Sequence, residues 1–227
     1  MRLRARVDGA AARFKQFHQP SPDTPWREAP WCAVDLELTG LDPRNDEIVA
    51  VGAVPIVDGC LVLGEAVYEL ARPDRPPKTP AILVHKLRSA DLAGAPPVDH
   101  AIDALLYVLA GRVPVFHSSI VERTFLGPPF RRRRLRLPAD VDTEALGRAW
   151  LRARGQQPPA GIPLGRLAAL LKQPAEDPHH ALGDALTTGK AFIALASHLD
   201  ALSPQTVGSL QSLAAPVRRS AGRFALP

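Results

Sequence analysis

The sequence is poor in cysteine and contains no long hydrophobic run. Cys32 and Cys60 are the only cysteines among 227 residues, too few for a disulfide framework, and we expect both to be small buried residues. No apolar run approaches the roughly 18 residues that a membrane-spanning helix needs. The basic start of the chain, residues 1–6, is not followed by the apolar segment of a secretory signal. We therefore expect a cytoplasmic protein that has no membrane partner.

Aromatic residues are also scarce, and the charge balance is moderately basic. Lysine and arginine total 28 and aspartate and glutamate total 23, which gives a net charge of +5 and favours a polyanionic partner. The densest basic run, residues 131–136, fits either a phosphate contact or a solvated loop. Aromatic residues make up 5% of the chain. Few of them are therefore free to stack on bases, and any nucleic acid would be bound with weak sequence preference.

The length and the distribution of proline predict one domain with an extension at each end. Residues 1–29 form a basic, proline-rich extension, with a short helix near 8–18 followed by a linker. Residues 30–202 form the main domain. Residues 203–227 lack clear periodicity and are predicted to be a flexible tail that carries a short helix near 205–214.

The order of strands and helices predicts an α/β fold. Strands over 31–38, 47–54 and 61–70 form an antiparallel meander, with Asp58-Gly59 as a hairpin turn and Pro55 at an edge or bulge. Short strands at 113–116 and 139–142 then alternate with helices near 102–109, 118–126, 143–154, 164–171 and 180–199, and Pro128 and Pro129 lie in a loop. Such an order predicts a mixed sheet with helices on both faces.

The first strand carries two acidic residues that point in the same direction. Asp35 and Glu37 are two positions apart, and such residues lie on one face of a strand. Adjacent carboxylates repel, so a core would not select them unless a divalent cation lay between them. The alternative is a pair of exposed acids on an edge, which the apolar neighbours in the strand make less attractive.

Two further segments bring acids and histidines to strand ends and helix starts. His117 ends a strand, and Glu122 follows one turn into the next helix. His179 and His180 precede a helix whose early turns contain Asp184. Taken alone, Glu122 fits a helix surface and Asp184 fits the favourable charge at a helix N-terminus. Taken together, the three segments predict one acidic site.

These motifs resemble those of the DEDDh 3′–5′ exonucleases, the group of the proofreading epsilon-type exonucleases, ribonuclease T and oligoribonuclease. The segment 35–41 resembles the first motif, and 42–54 continues it in the pattern Asp-Pro-x-x-Asp-x-Ile-x-x-x-Gly-Ala-Val. The segment 179–185 resembles the third motif, His-x-Ala-Leu-x-Asp-Ala. The middle motif differs from the family pattern, because Glu122 stands where the family has Asp, and Ser118 and Val121 replace Asn and Phe.

The resemblance implies an RNase H-like fold and a two-metal phosphodiester hydrolase. The expected catalytic residues are His179, as general base, together with the metal ligands Asp35, Glu37, Glu122 and Asp184, which would hold two Mg²⁺ or Mn²⁺ ions. The expected substrate-binding residues are Leu36, Thr39, Gly40, Leu41 and His117. The products would be nucleoside 5′-monophosphates.

The resemblance also implies the 3′ end of a single-stranded nucleic acid as the substrate and a DNA polymerase as a candidate partner in proofreading or DNA repair. It does not decide whether the substrate is DNA or RNA, or whether the protein is a monomer or a homodimer. Two alternatives remain at this point. One is a catalytically weakened nucleic-acid-binding or polymerase-associated module of the same fold, which the altered middle motif motivates. The other is a phosphohydrolase of small nucleotides.

Overall fold

The structure, a computed structural model, describes the backbone of residues 2–214 and the side chains of residues 9–214. The strands are β1 (Trp31–Leu38), β2 (Ile48–Val57), β3 (Cys60–Leu61), β4 (Val67–Leu70), β5 (Val113–Phe116) and β6 (Val141–Asp142). The helices are α1 (Arg2–Gln16), α2 (Thr79–His85), α3 (Ser89–Leu92), α4 (Val98–Leu109), α5 (Ile120–Arg132), α6 (Thr143–Ala153), α7 (Leu164–Leu170), α8 (Ala181–Asp200) and α9 (Val207–Ala214). None of these helices is long and apolar enough to cross a membrane.

The sheet is mixed, as the order of elements predicted. Its strands run in the order β3-β2-β1-β5-β6, and β4 pairs with β2 beside β3. β1 is antiparallel to β2 along its length, whereas β5 is parallel to β1 and pairs only with residues 31–33. The carboxyl end of β1, from Val34 to Leu38, therefore extends beyond its parallel neighbour. This is the end of a parallel strand at which α/β sheets bind ligands.

Pro55 explains why the predicted third strand is broken in two. Its carbonyl accepts a hydrogen bond from the Val62 N–H, so its missing N–H lies on the same side of β2, facing the third strand. A ladder cannot continue through that position. β3 pairs with β2 at Ile56 and Val57, β4 pairs with it at residues 50–53, and a 3₁₀ turn at Leu63–Glu65 lies between β3 and β4. Pro55 is thus inside β2 and not at an edge.

Alternation along β1 divides the core between the two faces of the sheet. Trp31 and Ala33 pack in the core that α8 covers, together with Phe192 and Leu195. Cys32, Val34, Leu36 and Leu38 pack in the opposite core, against α4 and α5. Asp35 and Glu37 continue the series of Trp31 and Ala33, so they lie on the face that α8 covers.

α5 is longer than predicted, because it continues through Pro128 and Pro129 to Arg132. A proline inside a helix costs about 3 kcal/mol. Leu126 and Phe130, on either side of the prolines, are fully buried in the core. Burial of each such side chain contributes roughly 1.5–3 kcal/mol, which offsets a large part of that cost. The prediction of a loop at the two prolines was wrong.

Both predicted extensions contribute to the packed structure. α1 packs on α4 with Ala10 buried, and Trp26 lies in the core beside Phe192. Trp26 N–H donates to the Gln205 carbonyl, and Val207 N–H donates to the Thr24 carbonyl. Val207 and Leu210 are buried in the same core, so the predicted boundaries at 29 and 203 do not coincide with the limits of the packed structure. The rest of the predicted tail, 215–227, lies outside the described residues.

Candidate active site

Three carboxylates meet at the carboxyl end of β1. Asp35 and Glu37 come from β1, and Asp184 comes from the first turn of α8. One carboxylate oxygen of each lies within 4.8 Å of the others. The alternation of the strand aims the first two residues at α8, and the helix supplies the third.

Gly52 allows α8 to approach the sheet closely enough to complete this cluster. It pairs directly with Asp35 across the β1–β2 ladder. A Cβ atom at this position would overlap the carbonyl group of Ala181, the first residue of α8. The first turn of α8 therefore packs directly on the backbone of β2 at Gly52, one strand away from Asp35.

Glu122 extends the cluster from a third element. It lies in the first turn of α5, its side chain is buried, and its Oε2 has no hydrogen-bond partner among the described residues. Its negative charge is one of the causes that raise the pKa of Asp35. Three of the predicted acids thus form one cluster, and Glu122 lies outside that group but close enough for its charge to act on Asp35.

The four carboxyl groups have raised pKa values. Burial, and then the charges of Glu122, Glu37 and Asp184, raise the pKa of Asp35 well above its usual range. Burial raises the pKa of Glu37 to about 8, with Asp184 adding to the effect, and it raises that of Glu122 to about 8. The pKa of Asp184 is also raised by burial. No lysine or arginine of the described chain forms an ion pair with these groups.

The two adjacent histidines have different environments. The His180 ring caps α8, since its Nδ1 accepts a hydrogen bond from the Gly183 N–H at 3.3 Å, and it stacks on Tyr68. His179 has a left-handed backbone, with φ of 63°, and its N–H donates to Asp184 Oδ2 at 2.8 Å. The His179 ring is exposed and not used in capping. The structure therefore leaves His179, the predicted base, available beside Asp184.

His117 is held at the end of β5 in a defined tautomer. Its Nδ1 lies 2.9 Å from Thr143 Oγ1, and that hydroxyl donates to the Phe116 carbonyl. Because the hydroxyl proton is used in that bond, Thr143 Oγ1 accepts a hydrogen bond from the Nδ1–H group of His117, which leaves Nε2 with a lone pair. Nε2 is buried without a partner in the described chain, and burial lowers the pKa of His117.

Asp142 holds the turn that follows His117. Its carboxylate accepts from the N–H groups of Ser118 and Ser119, at 3.2 and 2.9 Å, and it also caps α6. Ser118 has a left-handed backbone with φ of 58°. No local pattern in the sequence reveals this role of Asp142, because the link between its carboxylate and the His117 turn spans two separate elements.

The predicted substrate residues in and after β1 fall into two groups. Leu41 is 76% exposed at the tip of its turn, and Thr39 and Gly40 rest on the buried carboxylate of Asp46. Leu36 is 7% exposed in the core on the opposite face of the sheet. The structure does not bring its side chain to the site, because the alternation that aims Asp35 and Glu37 at α8 aims Leu36 away from it.

A family described as exonuclease, RNase_T, matches residues 32–192. The chain belongs to the RNase_T exonuclease family. The match contains all four acids together with His117 and His179, and it confirms the family that the motifs predicted. The polypeptide is thus a nuclease by family, and the carboxylate cluster at β1 and α8 lies inside the matched region.

Solved structures show the same fold in other exonucleases. Exonuclease X in complex with 5′ overhanging duplex DNA is 22% identical, with a TM-score of 0.62, over 82% of this chain and 99% of that one. The nuclease domain of 3′hExo, a DEDDh family member bound to rAMP, is 15% identical with a TM-score of 0.59, over 78% and 95% of the two chains. They confirm the predicted RNase H-like fold.

Curated relatives of this RNase_T exonuclease are much longer proteins. The DNA polymerase III subunit epsilon-like protein of Rhodobacter capsulatus is 32% identical over 191 residues, which cover 83% of this chain and 27% of that protein. The chain spans about a quarter or less of the length of the curated relatives it matches.

The acidic cluster of this exonuclease fits a divalent cation. The carboxylates of the cluster are buried or partly buried and repel one another. Glu37 Oε1 and Glu122 Oε2 have no hydrogen-bond partner in the described chain, so positive charge is needed to balance the cluster. Oxygen ligands of this kind favour hard cations such as Mg²⁺ or Mn²⁺. The donor set is therefore suited to the metals that the family resemblance implies.

Proposed function

We propose that this protein hydrolyses the phosphodiester bond at the 3′ end of single-stranded DNA or RNA and releases nucleoside 5′-monophosphates. The proposal rests mainly on one observation: carboxylate oxygens of Asp35, Glu37 and Asp184 lie within 4.8 Å of one another, and the charge of the buried Glu122 acts on Asp35. Membership of an exonuclease family supports the reaction class. The 3′ polarity rests on the DEDDh resemblance of the motifs.

Asp35, Glu37, Glu122 and Asp184 would hold two divalent cations, Mg²⁺ or Mn²⁺. Bound there, such cations supply charge neutralisation at the phosphate and a lower pKa for the attacking water. The carboxylates contribute the negative charge that retains the cations. Glu122 is one methylene longer than the Asp of the family motif, so we expect it to reach the same region with a small shift of α5.

His179 would act as the general base. Its exposed ring can approach a water at the scissile phosphate, while its N–H anchors the loop to Asp184 Oδ2 at 2.8 Å. The bare Nε2 of His117 would accept a hydrogen bond from a hydroxyl of the terminal nucleotide. The backbone of Thr39 and Gly40 and the exposed Leu41 side chain would hold that nucleotide in place.

The test uses 5′-labelled single-stranded DNA and RNA oligomers in Mg²⁺, in Mn²⁺ and in EDTA. We expect a ladder that shortens from the 3′ end, is absent in EDTA, and shows which polymer is preferred. Asp35→Asn should lower the rate by more than about 100-fold, because removing a residue that merely supports a metal ligand already costs roughly 10- to 100-fold. Full activity of Asp35→Asn would refute the site assignment.

Glu122→Asp tests whether the altered middle motif limits the rate. An increase over the wild-type rate would mean that the shorter side chain of the family motif has the better geometry. A rate of zero for both proteins, with tight metal-independent binding of oligomers, would instead support the alternative of a binding module that has lost catalysis. Preference for mononucleotides over oligomers would support a small-nucleotide phosphohydrolase.

A DNA polymerase partner remains part of the proposal. It is supported by the name of the Rhodobacter capsulatus relative, a DNA polymerase III subunit epsilon-like protein. Co-purification of the tagged chain with a replicative polymerase, and a change in exonuclease rate on mispaired primer ends when the polymerase is added, would test it.

A further inference from the structure

A basic groove lies beside α5, on the helix that carries Glu122. Arg123, Gly127 and Arg131 follow one another at four-residue spacing, so they form a row on the helix surface. Together with Arg136 they line a surface cavity of about 350 Å³, to which Leu135 and Leu137 contribute apolar area. Among the residues that the structure describes, no carboxylate lines this cavity.

Gly127 opens the floor of this groove and lets Arg131 fold along it. A Cβ atom at Gly127 would lie 3.0 Å from Arg131 Nη1, so the guanidinium extends over the glycine. That direction is toward the N-terminus of the helix, as is usual for helical side chains. The Arg131 charge is therefore displaced toward the end of α5 at which Glu122 lies.

The arginines of the run 131–136 have different roles. Arg133 is buried, and its guanidinium pairs with Asp99 and Asp103, so it is structural. Arg131 and Arg136 are exposed, and in the described part of the chain their guanidinium groups make no ion pair or hydrogen bond. Two positive charges in this groove are therefore available to a ligand.

The groove shares Arg123 with a second cavity near the start of α5. A larger cavity, of about 980 Å³, also contains Arg123 and reaches Ser118 and Ser119 beside His117. Asp140, in that cavity, is paired with Arg123, and Asp142 is occupied by backbone N–H groups. From Glu122 to Arg131 the axis of α5 rises about 14 Å, a distance that a few extended nucleotides span.

We propose that this groove binds the phosphate backbone of the substrate strand upstream of its 3′ end, with Arg131 and Arg136 as phosphate contacts and Arg123 at the junction. This inference rests on the proposed exonuclease function and adds the path of the strand. The apolar floor at Leu135 and Leu137 would face sugars. Strands too short to reach the groove would gain nothing from it.

The test compares Arg131→Gln/Arg136→Gln with Arg166→Gln/Lys172→Gln. The control pair removes the same charge from exposed residues in and just after α7, which are not among the residues that line either cavity. We expect the KM for a ten-nucleotide strand to rise about tenfold or more in the groove variant and to stay at the wild-type value in the control. The KM for a dinucleotide, which ends before the groove, should be the same in all three proteins.

Salt dependence gives a readout that does not need hydrolysis. Binding of a fluorescent ten-nucleotide strand is measured by anisotropy in the Asp35→Asn background. Each phosphate contact on a single strand contributes about 0.7 to the slope of log K against log salt, so the groove variant should lose roughly 1.4 from that slope.

The outcomes separate the two proposals. An unchanged slope and an unchanged KM for the ten-nucleotide strand would overturn the groove while leaving the exonuclease proposal in place. A reduced slope without any hydrolysis by the wild-type protein would keep the groove and refute the activity. If the control variant showed the same rise in KM and the same loss of slope, the effect would come from net charge alone, and the groove proposal would be overturned.

Discussion

Asp46 is the residue on which the turn after β1 depends. Its buried carboxylate accepts hydrogen bonds from Thr39 Oγ1 at 3.1 Å, from the Asp42 N–H at 2.9 Å and from Lys78 Nζ at 2.7 Å. Gly40 lies so close that a Cβ there would be 2.5 Å from Asp46 Oδ2. One side chain thus sets the position of the backbone that we expect to hold the terminal nucleotide.

Asp46→Asn should raise KM with little change in kcat. The amide keeps the size of the side chain but loses the charge that pairs with Lys78, and hydrogen bonds to charged groups contribute about 1.5–3 kcal/mol. We therefore expect KM to rise by roughly tenfold or more. Steady-state kinetics on a trinucleotide would measure this, with Asp74→Asn as the matched control, since the exposed Asp74 side chain makes no described contact. A loss confined to kcat would contradict a positioning role.

At the level of single residues, the charged groups of the site could be predicted from the sequence better than the residues that hold the surrounding backbone in place. Strand alternation was sufficient to place Asp35 and Glu37 on one face, and the motif spacing selected His179 over His180. The same alternation argues against Leu36, which was included only because it lies within the motif. Asp46 and Gly52 are part of the motif pattern of 42–54, but they act through contacts with Lys78 and Ala181, which are distant in the sequence, so the pattern alone does not reveal what they do.

The site depends on how closely two elements approach, and Gly52 controls that distance. α8 crosses β2 where a side chain would overlap backbone atoms of Ala181, which cannot rotate away. Gly52→Ala must therefore push the start of α8 outward and carry Asp184 away from Asp35. Misplacement of reacting groups by about 1 Å can cost 100-fold in rate.

We accordingly expect Gly52→Ala to lose about 100-fold in kcat/KM and to unfold at a lower temperature, since overpacking typically costs 1–3 kcal/mol. Exonuclease rates and thermal melts would be measured together on the folded variant. Gly64→Ala is the matched control, because a Cβ at that position meets nothing within 4 Å. Wild-type activity in Gly52→Ala would show that α8 does not set the geometry of the site.

Among the elements, strands and helices with a clear sequence pattern could be predicted. Elements whose limits depend on contacts with distant parts of the chain could not. β1 and β5 have the predicted limits, since each is a short apolar run that begins and ends clearly. α5 passes through two prolines because the burial of Leu126 and Phe130 offsets their cost. The third strand is broken because Pro55 lacks an N–H on the side that faces it, a fact that requires the pairing to be known.

At the scale of the whole molecule, the segment that follows α1 and the segment around α9 together close one core. Residues from Pro22 to Trp26 hydrogen-bond with residues 205–208, and Trp26, Val207 and Leu210 share the core under α8. Their prolines and serines are typical of linkers, and their apolar residues are too sparse to give a period. The acidic site is therefore embedded in a packed body whose stability it must affect.

Metal-free protein should become less stable as the pH rises from about 6.5 to 8. Folding raises the pKa of Glu37 and Glu122 to about 8 from unfolded values near 4.3, so the folded state binds more protons across this interval. Stability is then lost as the pH approaches the folded pKa. His85 and His117, whose pKa values are lowered by burial, act in the opposite sense, but only below about pH 6.5.

Thermal melts in EDTA and in Mg²⁺ between pH 6.5 and 8.5 would measure the effect. In EDTA we expect the Tm to fall as pH rises, and the increase caused by Mg²⁺ to be larger at pH 8 than at pH 6.5, because the cation binds the deprotonated carboxylates. Glu37→Gln/Glu122→Gln removes two of the four carboxyl groups whose pKa values are raised, so its melts in EDTA should depend less on pH and respond less to Mg²⁺. A Tm that stays constant or rises with pH in EDTA would mean that the carboxylates are already balanced by charges of the chain, and that the site needs no cation.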